Sequence, residues 1–597
     1  MSKETIRIGG ASGAWGDSPL ALPQLLDAGV DYLMMDYLAE VTMSLLARAR
    51  LKDPKAGYAP DCVAYLEPVL ATIAERKTRI VTNGGGVNPA GAKAALEAAI
   101  AKLGLKLTVA IVEGDDVMGR LEGLRAAGLR EASSGKPLPA RMLTANAYLG
   151  ALPIKAALDR GADIVITGRC ADSALALGVL MHEFGWAADD YDRLAAGSLT
   201  GHILECGPQA TGGLFTDWDI VPDWAGIGYP IAECFADGRF IVSKPEGTGG
   251  LIAAGAIAEQ TLYEIGDPAA YILPDVVADF SKVRLTQLDK DRVLVEGARG
   301  RAPTISYKVS ATYQDGYRAV ALVSIVGPDA AAKAEKTAAA MILRAGRIFE
   351  KRGLPAFSAT RVESLGAEAS YGEASRTRAS REVLLRLVVE HASREALDLF
   401  ARELGSAGLG CAPGTTGLFG GRPKATPVVR LFTFFIDKRE LGAPRVTVGE
   451  AAPFPVEVPA GIAYVEPAPA PVAEGDIPDG PTVEMPLRKL AYARSGDKGN
   501  GSNVALIARD PRFLPLIRRE VTPGRLLRQL GALVEGPARR YEAPGLHAIN
   551  FLIDNALGGG GMASLRIDPQ GKAYGQMALE MTIEVPEAWA REIDQSV

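Results

Sequence analysis

Several short clusters in the 597-residue sequence hold residue types that perform acid–base or nucleophilic chemistry. The densest is Gly201-His202-Ile203-Leu204-Glu205-Cys206-Gly207, which puts a base, an acid and a thiol close together. On a helix, His202 and Cys206 would share a face at i, i+4, and a thiolate beside an imidazolium is an activated nucleophile. The plainer reading makes Cys206 a small buried hydrophobe and His202 a hydrogen-bonded structural residue. A second cluster is Gly168-Arg169-Cys170-Ala171-Asp172-Ser173. Arg169 suits bidentate contact with a carboxylate or phosphate, and Asp172 suits a base or the partner that orients Arg169. Asp172 or Ser173 would serve equally as the N-cap of a following helix.

The run Asn83-Gly84-Gly85-Gly86-Val87-Asn88-Pro89 could turn backbone amides toward an anion. It is neither a Walker A loop nor GxGxxG, and its plain reading is a strand–helix turn with Pro89 in the first helical position. Asp36 and Glu40 stand at i, i+4, where paired carboxylates can raise one pKa into a working range. No metal site is expected, because no histidine lies near and no ligand spacing fits. Lys244 precedes Gly247, Gly249 and Gly250 ahead of a helical stretch that carries Glu259, an arrangement suited to an anion or to an ordinary loop. Near the C-terminus, one loop carries Lys498 and Asn500 and another carries Gly558 to Gly561 with Gly559. They read as a phosphate or pantetheine clamp, or as two hairpin loops.

The elements that must position these clusters are strands at residues 6–8, 32–35, 79–82, 107–112 and 163–166, alternating with helical stretches. That alternation predicts an α/β domain with a mainly parallel sheet over residues 1–280. Ligands of such sheets sit beyond the carboxyl ends of the strands, where the clusters fall. Residues 281–452 read as an α+β subdomain, with β segments at 283–295 and 304–326, a long helix at 330–350, and a stretch of mixed character at 381–404. A Pro-rich linker follows at 453–483, including Glu466-Pro467-Ala468-Pro469-Ala470-Pro471. The last unit, 484–597, reads as a small α+β domain with strands at 487–492, 503–508, 547–553, 563–567 and 577–583 and a helix at 518–533.

Net charge is −6 and no basic run is visible, which argues against a nucleic-acid partner. The five cysteines form no CxxC, so neither a zinc ribbon nor a disulfide framework is expected. The first residues lack the apolar core of a secretory signal and no apolar run reaches membrane-spanning length, so a cytoplasmic protein without a membrane partner is expected.

Gly168-Arg169-Cys170-Ala171-Asp172, Gly201-His202-Ile203-Leu204-Glu205-Cys206, Tyr263-Glu264-Ile265-Gly266-Asp267-Pro268 and Ser495-Gly496-Asp497-Lys498-Gly499-Asn500 together resemble the acyclic terpene utilisation family, AtuA. The resemblance covers nearly the whole chain. It implies an N-terminal AtuA domain, a ferredoxin-like C-terminal domain, and a place in the breakdown of citronellol-type and geraniol-type terpenes through branched acyl-CoA esters. It supplies no catalytic residues, so roles are read from the residues themselves.

The expected protein is an enzyme, a hydratase or lyase on a branched or hydroxylated acyl-CoA, and a homo-oligomer. His202 or Glu205 would move the proton, with Asp172 beside them. Glycine-loop amides around Asn83, Gly84 and Gly85 would stabilise a thioester enolate. Arg169 would hold a substrate carboxylate. Lys244 would contact an anionic group of the ligand, and Lys498, Asn500 and Gly559 would hold the coenzyme A phosphates. The alternatives are a thioesterase or acyl transferase using Cys206, and a non-catalytic binding partner of a pathway carboxylase.

Overall fold

The protein is described by a computed structural model covering residues 4–468, 472 and 475–595. At its centre five parallel strands run in the spatial order Thr5–Ser12, Tyr32–Met35, Arg79–Thr82, Ile164–Thr167, Val109–Glu113. Their apolar side chains alternate between two cores. Tyr32, Met34, Val81 and Val165 face one, while Leu33, Met35, Ile80, Ile164 and Ile166 face the other. Burial on both faces is why these strands read as continuous apolar runs.

The whole sheet is mixed rather than mainly parallel. Ile231–Phe235, Phe240–Ser243, Arg292–Glu296 and Arg284–Asp289 extend one edge in antiparallel fashion. Arg445–Val448 and Phe454–Pro455 extend the other in the same way. These additions cover the edges of the parallel centre, which would otherwise present unpaired backbone groups. They also carry the sheet across the expected division at residue 280 and into the segment expected to be linker.

A second sheet is built on the long strand Ser306–Val326. One half pairs with Thr144–Ala147 and Thr426–Asp437, the other with Glu382–His391 and Thr415–Leu418. The helix Ala330–Lys351 buries Ala334, Ala338, Met341, Ala345 and Phe349, a stripe at helical spacing. The stretch of mixed character resolves into a strand, Glu382–His391, and a helix, Arg394–Glu403.

The C-terminal unit is an antiparallel sheet in the order Ala491–Lys498, Gly501–Ala508, Ala548–Ile553, Ala538–Ala543. Val504, Leu506, Ile549 and Phe551 face its own helices, whereas Ala505, Ile507 and Ala548 join the main core of the large domain. The small sheet is therefore covered on both faces. No strand forms at 563–567. Asp568 accepts hydrogen bonds from the Lys572 and Ala573 amides just before the helix Tyr574–Leu579, and the strand Thr582–Pro586 follows.

Between the units, Ile462 bridges to the backbone beside Thr304, and Thr482–Pro486 pairs with Thr582–Pro586. Pro469, Ala470 and Pro471 lie outside the described residues. Among the described residues no helix is long and apolar enough to cross a membrane.

Candidate functional site

The strand Tyr32–Met35 ends on Asp36, which is 6% exposed. Asn83, at the end of the neighbouring strand, donates to Asp36 Oδ1 at 2.6 Å, and its own Oδ1 accepts the Tyr37 amide at 2.8 Å. Asn83 thus positions a carboxylate rather than an anionic ligand. The three glycine amides after it are already engaged. Gly84 donates to Thr82 Oγ1 at 3.0 Å, Gly85 to Thr167 O at 3.1 Å, and Gly86 to Asn83 O at 3.2 Å. The anion cradle expected at Gly84 and Gly85 is therefore absent, because the loop spends its donors on its own fold. Pro89 opens the helix Pro89–Lys102, and Asn88 caps it through Gly91.

The strand Ile164–Thr167 delivers Arg169 and Asp172. The Arg169 backbone amide donates to Asp115 Oδ2 at 2.9 Å. Its Nη1 donates to Leu38 O at 3.1 Å and to Asp172 Oδ1 at 2.5 Å, and the guanidinium stacks 4.2 Å from the Tyr148 ring centroid. Arg169 is only 3% exposed, so it acts as an internal counter-ion and is not placed to hold a substrate carboxylate. Asp172 is turned to Arg169, and the helix Ala174–Phe184 starts without a side-chain cap. Tyr148 donates to Glu40 Oε1 at 2.6 Å, and Lys308 lies 4.8 Å from the same ring. Tyr148 and Lys308 sit in segments without any pattern that would single them out in sequence.

The helix Tyr191–Leu204 brings His202 and, just past its end, Glu205. His202 Nδ1 lies 2.9 Å from Glu205 Oε1, and the imidazole packs against Tyr271 and Phe280, which also touch each other. Burial lowers its pKa to about 4, so the ring is neutral near pH 7. Glu205, Asp36 and Asp172 each offer an oxygen within 4.8 Å of the others. Burial, then the charge of Asp172, pushes the Asp36 and Glu205 carboxyls well above the usual carboxylate range. Asp172 is raised by burial too, but the adjoining Arg169 opposes the shift. Three oxygen donors at this spacing suit a hard cation such as Mg²⁺, or a proton shared among them. Their convergence is invisible to local spacing, because each comes from a different part of the chain.

Cys206 follows Glu205, yet the expected thiolate–imidazolium pair does not form. His202 turns to Glu205, and burial together with Glu205 and Glu264 pushes the Cys206 thiol well above its ordinary pKa. The electrostatics therefore oppose a thiolate nucleophile.

The C-terminal domain closes the rim. Asn503 donates to Leu262 O at 2.8 Å and accepts the Glu264 amide at 3.0 Å, while Asn550 donates to Ile265 O and Gly266 O at 2.8 and 2.6 Å. A Cβ at Gly496 would lie 2.5 Å from Tyr263 Cε2, so only glycine permits this approach. The hairpin then brings Lys498 within 5.2 Å of the Tyr271 ring centroid. Lys498 retains solvent contact, but the surrounding protein and Lys308 draw its pKa down, against Glu264, Asp497 and Glu205. Asn500 Oδ1 accepts the Gly559 amide at 2.7 Å, and Asn500 Nδ2 donates to Asn555 at 3.1 Å, so these residues lock the two C-terminal loops together. Lys244 donates to Thr248 O at 2.8 Å in its own loop and pairs at 3.2 Å with Asp291, in the turn between Arg284–Asp289 and Arg292–Glu296.

Residues 6–447 match the acyclic terpene utilisation family protein AtuA, and residues 485–584 match the AtuA ferredoxin-like domain. The chain belongs to the AtuA family. No curated protein and no solved structure matches it. The two matched regions meet at the rim just described, so in this AtuA chain both contribute ionisable groups to one cluster.

Glu259, on the helix Ala254–Leu262 beside this junction, gives a first prediction. It is buried, accepts the Thr216 amide at 3.1 Å, and has its pKa raised by burial to about 8 from an ordinary 4.5. Its folded-state pKa is the higher one. Its contribution to stability is thus fully present below pH 4.5 and lost as pH rises through about 8. Glu259→Gln is expected to flatten the pH dependence of the unfolding free energy, measured with urea, across that window by a few kcal/mol. Superimposable wild-type and variant profiles would contradict it.

Proposed function

We propose that the protein is an enzyme of acyclic terpene or branched acyl-CoA breakdown, acting as a hydratase or lyase on a branched or hydroxylated acyl-CoA. One observation carries this reading. Asp36, Asp172 and Glu205 converge within 4.8 Å, with Arg169 beside Asp172 and neutral His202 beside Glu205. Adjacent carboxyl groups held in different protonation states supply an acid and a base at one pH.

In the hydration direction, Asp172, the carboxyl whose upward shift Arg169 opposes, accepts a proton from water as the water oxygen bonds to the β-carbon. The protonated Glu205 gives its proton to the α-carbon, and Glu205 recovers one when Asp172 passes its proton on. Lys498 stabilises negative charge developing on the thioester oxygen, a task the engaged glycine amides do not offer. In the lyase direction Asp172 takes the β-hydroxyl proton as the bond between the α- and β-carbons breaks, leaving a ketone and a thioester enolate, and the protonated Glu205 gives its proton to the enolate α-carbon.

The test is a panel of branched 2-enoyl-CoA and 3-hydroxy-3-methylacyl-CoA thioesters incubated with the purified full chain. Loss of the enoyl-thioester absorbance, or cleavage products seen by mass spectrometry, is expected for at least one member. A folded protein that turns over none of them removes the reading.

A further inference from the structure

Beside Glu205 the chain opens into a cavity of about 640 Å³. Its walls include Trp15, Leu214, Trp218, Trp224 and Ile227, together with Cys206. Three of the chain's five tryptophans are gathered here. Two of them, Trp218 and Trp224, are 61% and 57% exposed, and their ring centroids are 6.0 Å apart. Large exposed apolar groups gathered at one concavity mark a binding surface, and this volume falls within the ~300–1,000 Å³ of small-molecule sites.

The backbone adds an independent sign. Leu214 has φ +61°, a left-handed conformation unfavourable for a branched-chain residue, and it leaves the side chain 62% exposed. Backbone held in such a region clusters at ligand clamps. The turn is fixed from the other domain, since Arg494 donates to Leu214 O at 3.1 Å and also to the Gln209 side chain. Arg494 is itself 7% exposed, yet its Nε has no acceptor among the described residues. The cavity thus has tryptophan walls, and two of its lining residues, Gln209 and Leu214, are held from behind by the buried Arg494 guanidinium. The Glu205–Cys206 peptide joins the cavity wall to the carboxylate cluster.

We infer that this cavity is the binding site for the aliphatic chain of an acyl substrate, with the acyl carbonyl directed toward Glu205. The acyl-chain class is set by the walls and by their covalent continuity with the acidic cluster. The inference rests on the proposed reading of that cluster for the orientation of the chain, and the test separates the two.

Titration of the full chain with decanoyl-CoA, acetyl-CoA and free coenzyme A, followed by tryptophan emission and by calorimetry, is the experiment. Decanoyl-CoA is expected to produce a saturable change in emission and to bind at least tenfold more tightly than acetyl-CoA. Trp224→Ala and Leu214→Gly are each expected to weaken it severalfold or more. Leu214→Gly relieves the backbone conformation, so its loss of binding is not a folding defect. Equal affinity for all three compounds, or decanoyl-CoA binding indifferent to both substitutions, overturns the inference. Tight, substitution-sensitive binding without turnover of any thioester leaves the cavity assignment standing and removes the hydratase or lyase reading alone.

Discussion

Arg169→Ala is expected to lower the unfolding free energy by about 3–5 kcal/mol, the usual cost of removing one partner of a buried ion pair. The guanidinium is enclosed between Asp172, the Leu38 carbonyl and the Tyr148 ring, with Glu40 beyond. Without it Asp172 faces Asp36 and Glu205 with no adjacent counter-charge. Urea unfolding measures the loss. Adding Asp172→Asn in the same chain is expected to restore much of it, because the second change removes the stranded charge. The loss is also expected to shrink at acidic pH, where Asp172 takes up a proton. A single variant within about 1 kcal/mol of wild type would mean that Lys308 or Lys498 already balances Asp172, a conclusion opposed to the geometry.

Glu205→Gln is expected to move stability and activity in opposite directions. The folded-state pKa of Glu205 lies above its ordinary value, so its favourable contribution is present at low pH and lost as pH rises through the elevated value. Glutamine keeps the shape and a hydrogen bond to His202 without that loss. The variant should therefore match wild type at acidic pH and melt a few degrees higher on the alkaline side. Turnover of whichever thioester the panel identifies should fall by about 10²–10⁴-fold, the usual contribution of a positioned acid or base. Melting profiles that coincide at every pH would show that Glu205 titrates normally. Full turnover in the variant would remove it from the chemistry.

The parallel strands were legible because burial on both faces leaves an unbroken apolar run, as in Tyr32–Met35 and Ile164–Thr167. The edge strand Arg445–Val448 was not, since it alternates polar and apolar residues over a short span and the strand it pairs with, Val109–Glu113, lies far back in the chain. The same limit shaped the site. Asp172 and Glu205 stood out singly by residue type, but nothing local reveals that they approach Asp36. The glycine run was misread because composition shows that Gly84 and Gly85 have amides to offer, not that Thr82 and Thr167 already accept them. Tyr148 and Lys308 gave no signal at all, since one aromatic ring and one lysine become a frame for Arg169 only through the second sheet.

The docking of the small sheet has an electrostatic consequence for assembly. Before it arrives, the large domain presents an acidic socket, with Asp36, Asp172, Glu205 and Glu264 facing one rim beside Arg169 and Lys308. The arriving face brings Lys498, Lys572 and Arg494 together with Asp497, and Lys572 lands on the Tyr263 hydroxyl at 2.9 Å. The two units therefore meet as a basic plug and an acidic receptacle. Long-range attraction guides the approach, and added salt slows it, while Asn503 and Asn550 fix the final register.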